Sequence, residues 1–134
     1  MTTPFSDYLN ECQQRIDAAL PVLLGQAHSE YSADSGPLLH RLYEAMRYSL
    51  LNGGKRVRPM LTLLGCELFG KPASEAVNQA LAIEVFHNFT LVHDDVMDSA
   101  EVRRRLPTVH KKWDSNVALL SGDALLVLAY QYLF

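Results

Sequence analysis

Two cysteines in 134 residues, Cys12 and Cys66, are too few for a disulfide framework, and neither sits in a C-x-x-C pair that would signal a zinc site. A reducing, cytoplasmic setting follows as the expectation. Charge of one sign is also lacking. Twelve Lys and Arg against 15 Asp and Glu leave a net of -3, too close to neutral to imply a nucleic-acid or membrane partner. Met1 to Glu11 contains no basic segment followed by an apolar run, so no secretory signal is expected. The most apolar stretch, Val117 to Phe134, is interrupted by Ser121, Gly122 and Asp123 and includes Gln131, which fits a buried helix better than a membrane span. Nucleophile-elbow, Walker A and H-E-x-x-H patterns are missing, and Gly53-Gly54 follows no Rossmann-type strand. No segment alternates with period two over a strand length, and neither a repeat nor a low-complexity tract occurs.

What remains is a 49% hydrophobic, 20% charged chain, the balance of a folded domain rather than a disordered one. At this length one modest core is feasible, and residues 1–134 are expected to form one domain without an internal boundary. Its apolar residues recur at helical spacing. Tyr8, Leu9, Cys12, Ile16, Ala19, Leu20 and Leu23 mark a first amphipathic helix, which Pro21 is expected to bend or end, with Gly25 to Gly36 as a connection. Pro37 opens a second helix that Gly53-Gly54 follows. A short, deeply packed helix spans Met60 to Phe69. A long one runs from about Ser74 to the carboxylates at Asp94, Asp95 and Asp98; Ser99 to Ser115 reads as a basic loop; and a last helix starts near Asn116 and is still running at Phe134. The fold class is therefore all-α, an antiparallel helical bundle, and the uncapped end gives it the look of a truncated chain.

Asp94 and Asp98 stand four apart, hence one turn apart on one helix face, with Asp95 about a quarter-turn round. Like charges at this spacing repel, and the negative end of the helix dipole adds to the cost, so a positive partner is called for. Hard carboxylate oxygens suit Mg²⁺, which takes one or two carboxylates and completes its octahedron with water and phosphate oxygens. A solvated acidic helix end is the alternative. The flanks favour the metal: Arg103, Arg104 and Arg105 follow closely, and Gly53-Gly54-Lys55-Arg56-Val57-Arg58 supplies a second basic cluster on a glycine turn. Guanidinium forks and a lysine beside a magnesium-type motif point to a diphosphate. His87, two turns before Asp94, faces roughly the same way and could bond that diphosphate; His93 reads as structural, and His110 as either a loop closure or a solvated side chain.

In order, G-G-K-x-x-R-P at Gly53 to Pro59, E-x-x-H at Glu84 to His87, L-V-H-D-D-V-M-D, R-R with P-T-V-H, and S-G-D-A closely resemble the trans-isoprenyl diphosphate synthases of the polyprenyl synthetase family over about Leu38 to Phe134. The resemblance implies the N-terminal part of an isoprenoid-synthase bundle. It implies that Asp94 and Asp98, supported by Asp95, bind Mg²⁺ bridging an allylic diphosphate and form the catalytic aspartate motif. Arg103 would hold that same diphosphate, and Lys55, Arg58, His87 and Arg104 would hold isopentenyl diphosphate. The reaction would join the two substrates into a trans-prenyl diphosphate, with Phe89 and Thr90, just before the motif, as chain-length candidates for a C15 to C20 product; Phe89 read simply as a core aromatic is the alternative. Arg105 stands where the family usually has glycine. The family also carries a second aspartate-rich motif further along, so the 134 residues alone are expected to be inactive. A homodimer is expected of the full-length form, with neither nucleic acid nor stable membrane insertion. A non-catalytic partner subunit of a prenyl synthase, a terpene cyclase fragment and a basic-loop nucleic-acid binder are the competing readings.

Overall fold

The structure, a computed structural model, describes residues 4–31 and 36–134. Its helices are α1 (Pro4–Tyr31), α2 (Pro37–Leu51), α3 (Val57–Leu68), α4 (Val77–Met97), the single turn α5 (Val109–Lys112) and α6 (Ser115–Leu133). A 3₁₀ turn, Ala73–Ala76, leads into α4 after Pro72. The all-α expectation holds. The β structure among the described residues is one antiparallel pair of two-residue strands, β1 (Val102–Arg103) and β2 (Leu106–Pro107).

The first helix does not end at Pro21. It runs on to Tyr31, so most of the expected connection is helical, and residues 32–35 lie outside the described residues. Proline in a helix interior costs roughly 3 kcal/mol through a lost hydrogen bond and a clash. On the opposite side of α1, Ile16, Leu20, Leu23 and Leu24 are fully buried. At roughly 1.5–3 kcal/mol per buried aliphatic side chain, two of them already offset the proline. Pro21 itself is exposed, as is Asp17 one turn before it, whose carbonyl loses its partner.

Helices α4 and α6 form the centre. They run antiparallel: His93 near the end of α4 meets Leu119 and Gly122 near the start of α6, while Ile83 and Phe86 face Ala129, Tyr130 and Leu133. Ala80, Leu81, Val85 and Val92 of α4 and Val117, Ala118, Leu125 and Leu128 of α6 share one core with α1, Leu50 of α2 and Leu63 of α3. Asp114 caps α6 by accepting from the Val117 amide at 2.8 Å. Helix α6 is long and apolar enough to cross a membrane by length and composition; here it is a packing helix, with Val117, Ala118, Ser121, Gly122, Leu125, Leu128 and Ala129 buried. Gly122 makes that packing possible, because a Cβ there would lie 2.3 Å from Nε2 of His93. His93 donates from Nε2 to the Leu119 carbonyl at 3.0 Å, so its structural reading agrees with the packing.

The basic loop is more ordered than the sequence suggested. With Val102 opposite Pro107 and Arg103 opposite Leu106, Arg104 and Arg105 form a two-residue turn, both with positive φ (50° and 67°). That is the backbone sense of a type I′ hairpin, which favours Asn-Gly. A side chain in the left-handed region costs about 1–2 kcal/mol. The place where glycine is usual is therefore a strained one for Arg105. Arg105→Gly is expected to raise the stability of the chain by up to about 1 kcal/mol, read as a higher urea midpoint, since the relief exceeds the entropy that glycine adds to the unfolded state.

Candidate functional site

Helix α4 ends at Met97, and Asp98 is its cap residue, its amide bonded to the Asp94 carbonyl at 2.8 Å. Asp94 and Asp98 are exposed. Asp95 is turned inward, 5% exposed, and both its oxygens accept from Arg103: Nε lies at 3.0 and 2.9 Å and Nη2 at 2.8 Å. The hydrogen bonds that Arg103 donates to Asp95 hold its guanidinium above its ordinary pKa. The three carboxylates thus divide into two that face outward and one that is committed to the hairpin. That hairpin is fixed further by Thr108, buried, whose hydroxyl donates to the Ala100 carbonyl, and by Tyr48, whose hydroxyl donates to the Pro107 carbonyl at 2.7 Å.

Among the described residues no group of three or more His, Cys, Asp or Glu side chains forms a ready metal cage. Two outward carboxylates on one face, with room for water and an anion, fit the sparse protein coordination of Mg²⁺. Going back along the helix from Asp94, the exposed residues of this stripe at successive turns are Thr90, Phe86, Ile83 and Gln79. Thr90 donates to the His87 carbonyl. Phe89 lies off the stripe, half-buried, edge-on to Phe86 and His93 at 5.5 and 4.9 Å between ring centres.

Two basic turns converge beside these carboxylates. Arg104 donates to the Gly53 carbonyl and its guanidinium packs over Gly54, joining the hairpin to the turn before α3. Gly54 has φ 137°, a backbone conformation that calls for glycine, and an added Cβ would also come within 3.0 Å of the Arg104 guanidinium. Arg58 approaches His87 with Nη1 3.2 Å from Nε2; a guanidinium only donates, so His87 accepts and is neutral with its proton on Nδ1. Burial, then the charge of Arg58, pulls the His87 pKa below its ordinary 6.5. Lys55 is exposed on the same turn. The structure therefore gathers Arg58, His87, Arg103 and Arg104 about the acidic helix end.

A His with a depressed folded pKa binds fewer protons folded than unfolded. Its contribution to stability is present above about pH 6.5 and is lost as pH falls through that value, saturating below the folded pKa. Stability is expected to decline on acidification from pH 7.5 to 5.5, and His87→Asn to flatten part of that slope in urea titrations at stepped pH.

One residue of the glycine turn escaped the sequence reading. Arg56, 4% exposed and in the left-handed region, donates to Asp17 of α1 (2.8 Å), Glu84 of α4 (2.6 Å) and the Leu50 carbonyl of α2 (2.8 Å), while Asn88 donates to the Glu84 carbonyl. It stands between Lys55 and Arg58, where charge alone marks it as another ligand. The acidic Glu84, placed on the buried face of α4 by its spacing from Leu81, Val85 and Asn88, was the signal for a buried cation. Arg56 ties four elements together and so sets the path of the Lys55-bearing turn.

Beneath the hairpin, Asn88, Asp95, Arg103 and Arg104 help line a cavity of about 20 Å³, room for a single water. Of the larger hollows, one of about 340 Å³ is lined by Glu44, Arg47, Asn52 and Lys112 together with Tyr48 and Trp113, and two are apolar. One of about 390 Å³ is lined by Ile83, Phe86, Tyr130 and Leu133, and one of about 320 Å³ lies between α1, α2 and α6.

Residues 39–134 match the family described as polyprenyl synthetase. The chain is similar to a protein of Catharanthus roseus named geranylgeranyl pyrophosphate synthase, chloroplastic, at 46% identity over 117 residues, 83% of this chain and 33% of that one. It is 50% identical over 95 residues to an Arabidopsis thaliana protein named heterodimeric geranylgeranyl pyrophosphate synthase large subunit 1, chloroplastic, covering 69% of this chain and 26% of the relative. Among solved structures, the geranylgeranyl pyrophosphate synthetase of Geoglobus acetivorans superposes with a TM-score of 0.81 at 38% identity, covering 93% of this chain and 38% of that one. The chain thus spans about a quarter to a third of the length of the curated relatives it matches.

Proposed function

The chain belongs to the polyprenyl synthetase family, and from that premise we propose that it contributes half of a prenyltransferase site, the half that carries the first aspartate motif and the isopentenyl diphosphate pocket. The observation that carries this reading is the division of charge at the end of α4: two outward carboxylates, flanked by two cationic turns that Arg104 locks together.

In this reading Asp94 and Asp98 hold Mg²⁺ against an allylic diphosphate, and Arg103 bonds the same anion. Lys55, Arg58, His87 and Arg104 hold isopentenyl diphosphate. Magnesium supplies Lewis-acid stabilisation of the charge that develops on the departing diphosphate. The chain's own residues do the rest. The guanidinium groups orient both anions so that the isopentenyl double bond faces the allylic carbon, and a neutral His87 accepts from Arg58 while its Nδ1 proton is free to be given to a phosphate oxygen. The growing hydrocarbon would run along Thr90, Phe86 and Ile83, away from the charged end, with Thr90 and Phe89 as the chain-length candidates for a C15 to C20 product, Phe89 acting through its edge-on packing against Phe86. Homodimerisation of the full-length form and residence in the cytoplasm belong to the same proposal; the free thiols of Cys12 and Cys66 are consistent with a reducing compartment.

Binding tests this without demanding turnover. A ligand that binds only the folded state raises stability by about 2.7 kcal/mol at a hundredfold excess over Kd. Magnesium with inorganic pyrophosphate should raise the Tm of the 134-residue chain measurably, and Asp94→Asn and Asp98→Asn should each abolish most of that rise. Without ligand, Asp98→Asn should be slightly more stable than the wild type, by a few tenths of a kcal/mol, because a like-charge pair one turn apart is removed. No rise in the wild type, or an equal rise in both variants, would refute the reading.

A further inference from the structure

We propose that Asp95 is a positioning residue rather than a metal ligand: it clamps the rear edge of Arg103 so that the rest of that guanidinium is presented, already oriented, to an anion at the mouth of the site. This rests on the diphosphate reading above and assigns one carboxylate of the motif a different task from its neighbours.

Three observations converge on it. Asp95 is buried, while Asp94 and Asp98 on either side of it in the motif are exposed, so the three do not share a face open to one cation. Both Asp95 oxygens are engaged by Arg103 through Nε and Nη2. A cation taking those oxygens would have to displace a buried, charge-assisted pair. Finally, the pair leaves Nη1 of Arg103 uncommitted among the described residues, on a side chain still about a third exposed, and the hairpin that carries it is pinned by Arg104 to Gly53 and by Tyr48 to Pro107. The main chain adds to this, since the Ala100 amide donates to the Asp95 carbonyl at 2.9 Å and starts the path into β1.

The physical gain is preorganisation. A free arginine loses rotamer entropy when it meets a phosphate, about 0.5–1.5 kcal/mol per immobilised side chain, and a clamped one has lost it on folding. The guanidinium also has five donors in a rigid fork, so an Asp on one edge leaves the other edge geometrically defined. Lysine in its place would carry charge but no second edge.

Two probes separate cation from anion. Mn²⁺ alone, followed by its paramagnetic signal, reports the metal ligands; inorganic pyrophosphate at fixed Mg²⁺, followed by calorimetry, reports the anion. Both use the 134-residue chain. Asp95→Asn should leave the Mn²⁺ affinity within about twofold and weaken pyrophosphate by about tenfold or more, the scale on which supporting residues act. Arg103→Lys should lose as much, and Asp95→Asn combined with Arg103→Ala should be no worse than Arg103→Ala alone. Asp94→Asn should lose Mn²⁺. A role confined to folding would move both probes together. If Asp95→Asn weakens Mn²⁺ as Asp94→Asn does, if its loss adds to that of Arg103→Ala, or if Arg103→Lys binds pyrophosphate like the wild type, the clamp is overturned while the diphosphate reading stands. If the wild type takes up neither probe, that reading falls and the clamp falls with it. Should Asp95→Asn fail to fold, the Arg103→Lys arm alone decides.

Discussion

Arg56→Ala is expected to cost the chain about 3–5 kcal/mol, the scale seen when one partner of a buried ion pair is removed. Glu84 would keep its carboxylate in the core with only the Asn88 amide, 3.3 Å away, to meet it, and the Leu50 carbonyl would lose a donor. Small domains are stable by roughly 5–15 kcal/mol in all, so a large part of the margin disappears. The check is a urea titration followed by helical circular dichroism, with the midpoint expected to fall steeply or the native baseline to vanish. A double variant discriminates the cause. Arg56→Met with Glu84→Met removes both charges and fills similar volume, and it should recover much of the loss, because the damage comes from the orphaned carboxylate rather than from the missing contact. An unchanged midpoint for Arg56→Ala would mean that Glu84 is not buried as described.

Gly122→Ala is the second large effect. Alanine in a helix interior normally gains about 0.5–1 kcal/mol over glycine. Here the new methyl would meet the His93 ring, which is held by its bond to the Leu119 carbonyl and lies between α4 and α6. Forcing atoms into a packed interface costs about 1–3 kcal/mol, so the overlap outweighs the helical gain and the variant should be less stable. His93→Ala alone also destabilises, but on the Gly122→Ala background it should restore stability, because the ring that blocks the methyl is gone. A thermal-melt double-mutant cycle showing simple additivity would contradict this contact.

Both predictions concern residues whose motif membership was plain and whose task was not. The boundaries of α2, the end of α3 and the start of α6 were readable because Pro37, Gly53-Gly54, Gly70 and the polar run before Asn116 punctuate them, whereas α3 begins at Val57, three residues before the expected Met60, with Pro59 inside its first turn. The persistence of α1 past Pro21 was not, since it depends on a buried face whose partners lie on other helices. The hairpin escaped for a similar reason: two residues per strand are too few to alternate, and arginine gives no sign of a left-handed turn. Spacing placed Asp95 about a quarter-turn from Asp94, which was right. It could not reveal that the quarter-turn points into the protein, because the partner that draws it there sits eight residues away, across a turn. Likewise the basic residues of Gly53 to Arg58 looked equivalent by charge; burial alone separates Arg56 from Lys55 and Arg58.

Helix α6 has an implication for how this protein behaves in a tube. Its inner face is packed on α4, yet Leu119, Leu120, Val127 (60% exposed), Tyr130 (53%) and Leu133 stand open, beside an apolar hollow on each flank. Contiguous apolar surface of that kind is sticky. At the millimolar concentrations favoured by NMR the chain should self-associate and bind a hydrophobic dye while still fully helical, a combination easily mistaken for a loosened core. Dilution distinguishes the two: dye fluorescence caused by open α6 surface persists per molecule in the monomer, with a sharp thermal transition, whereas a molten state melts without one.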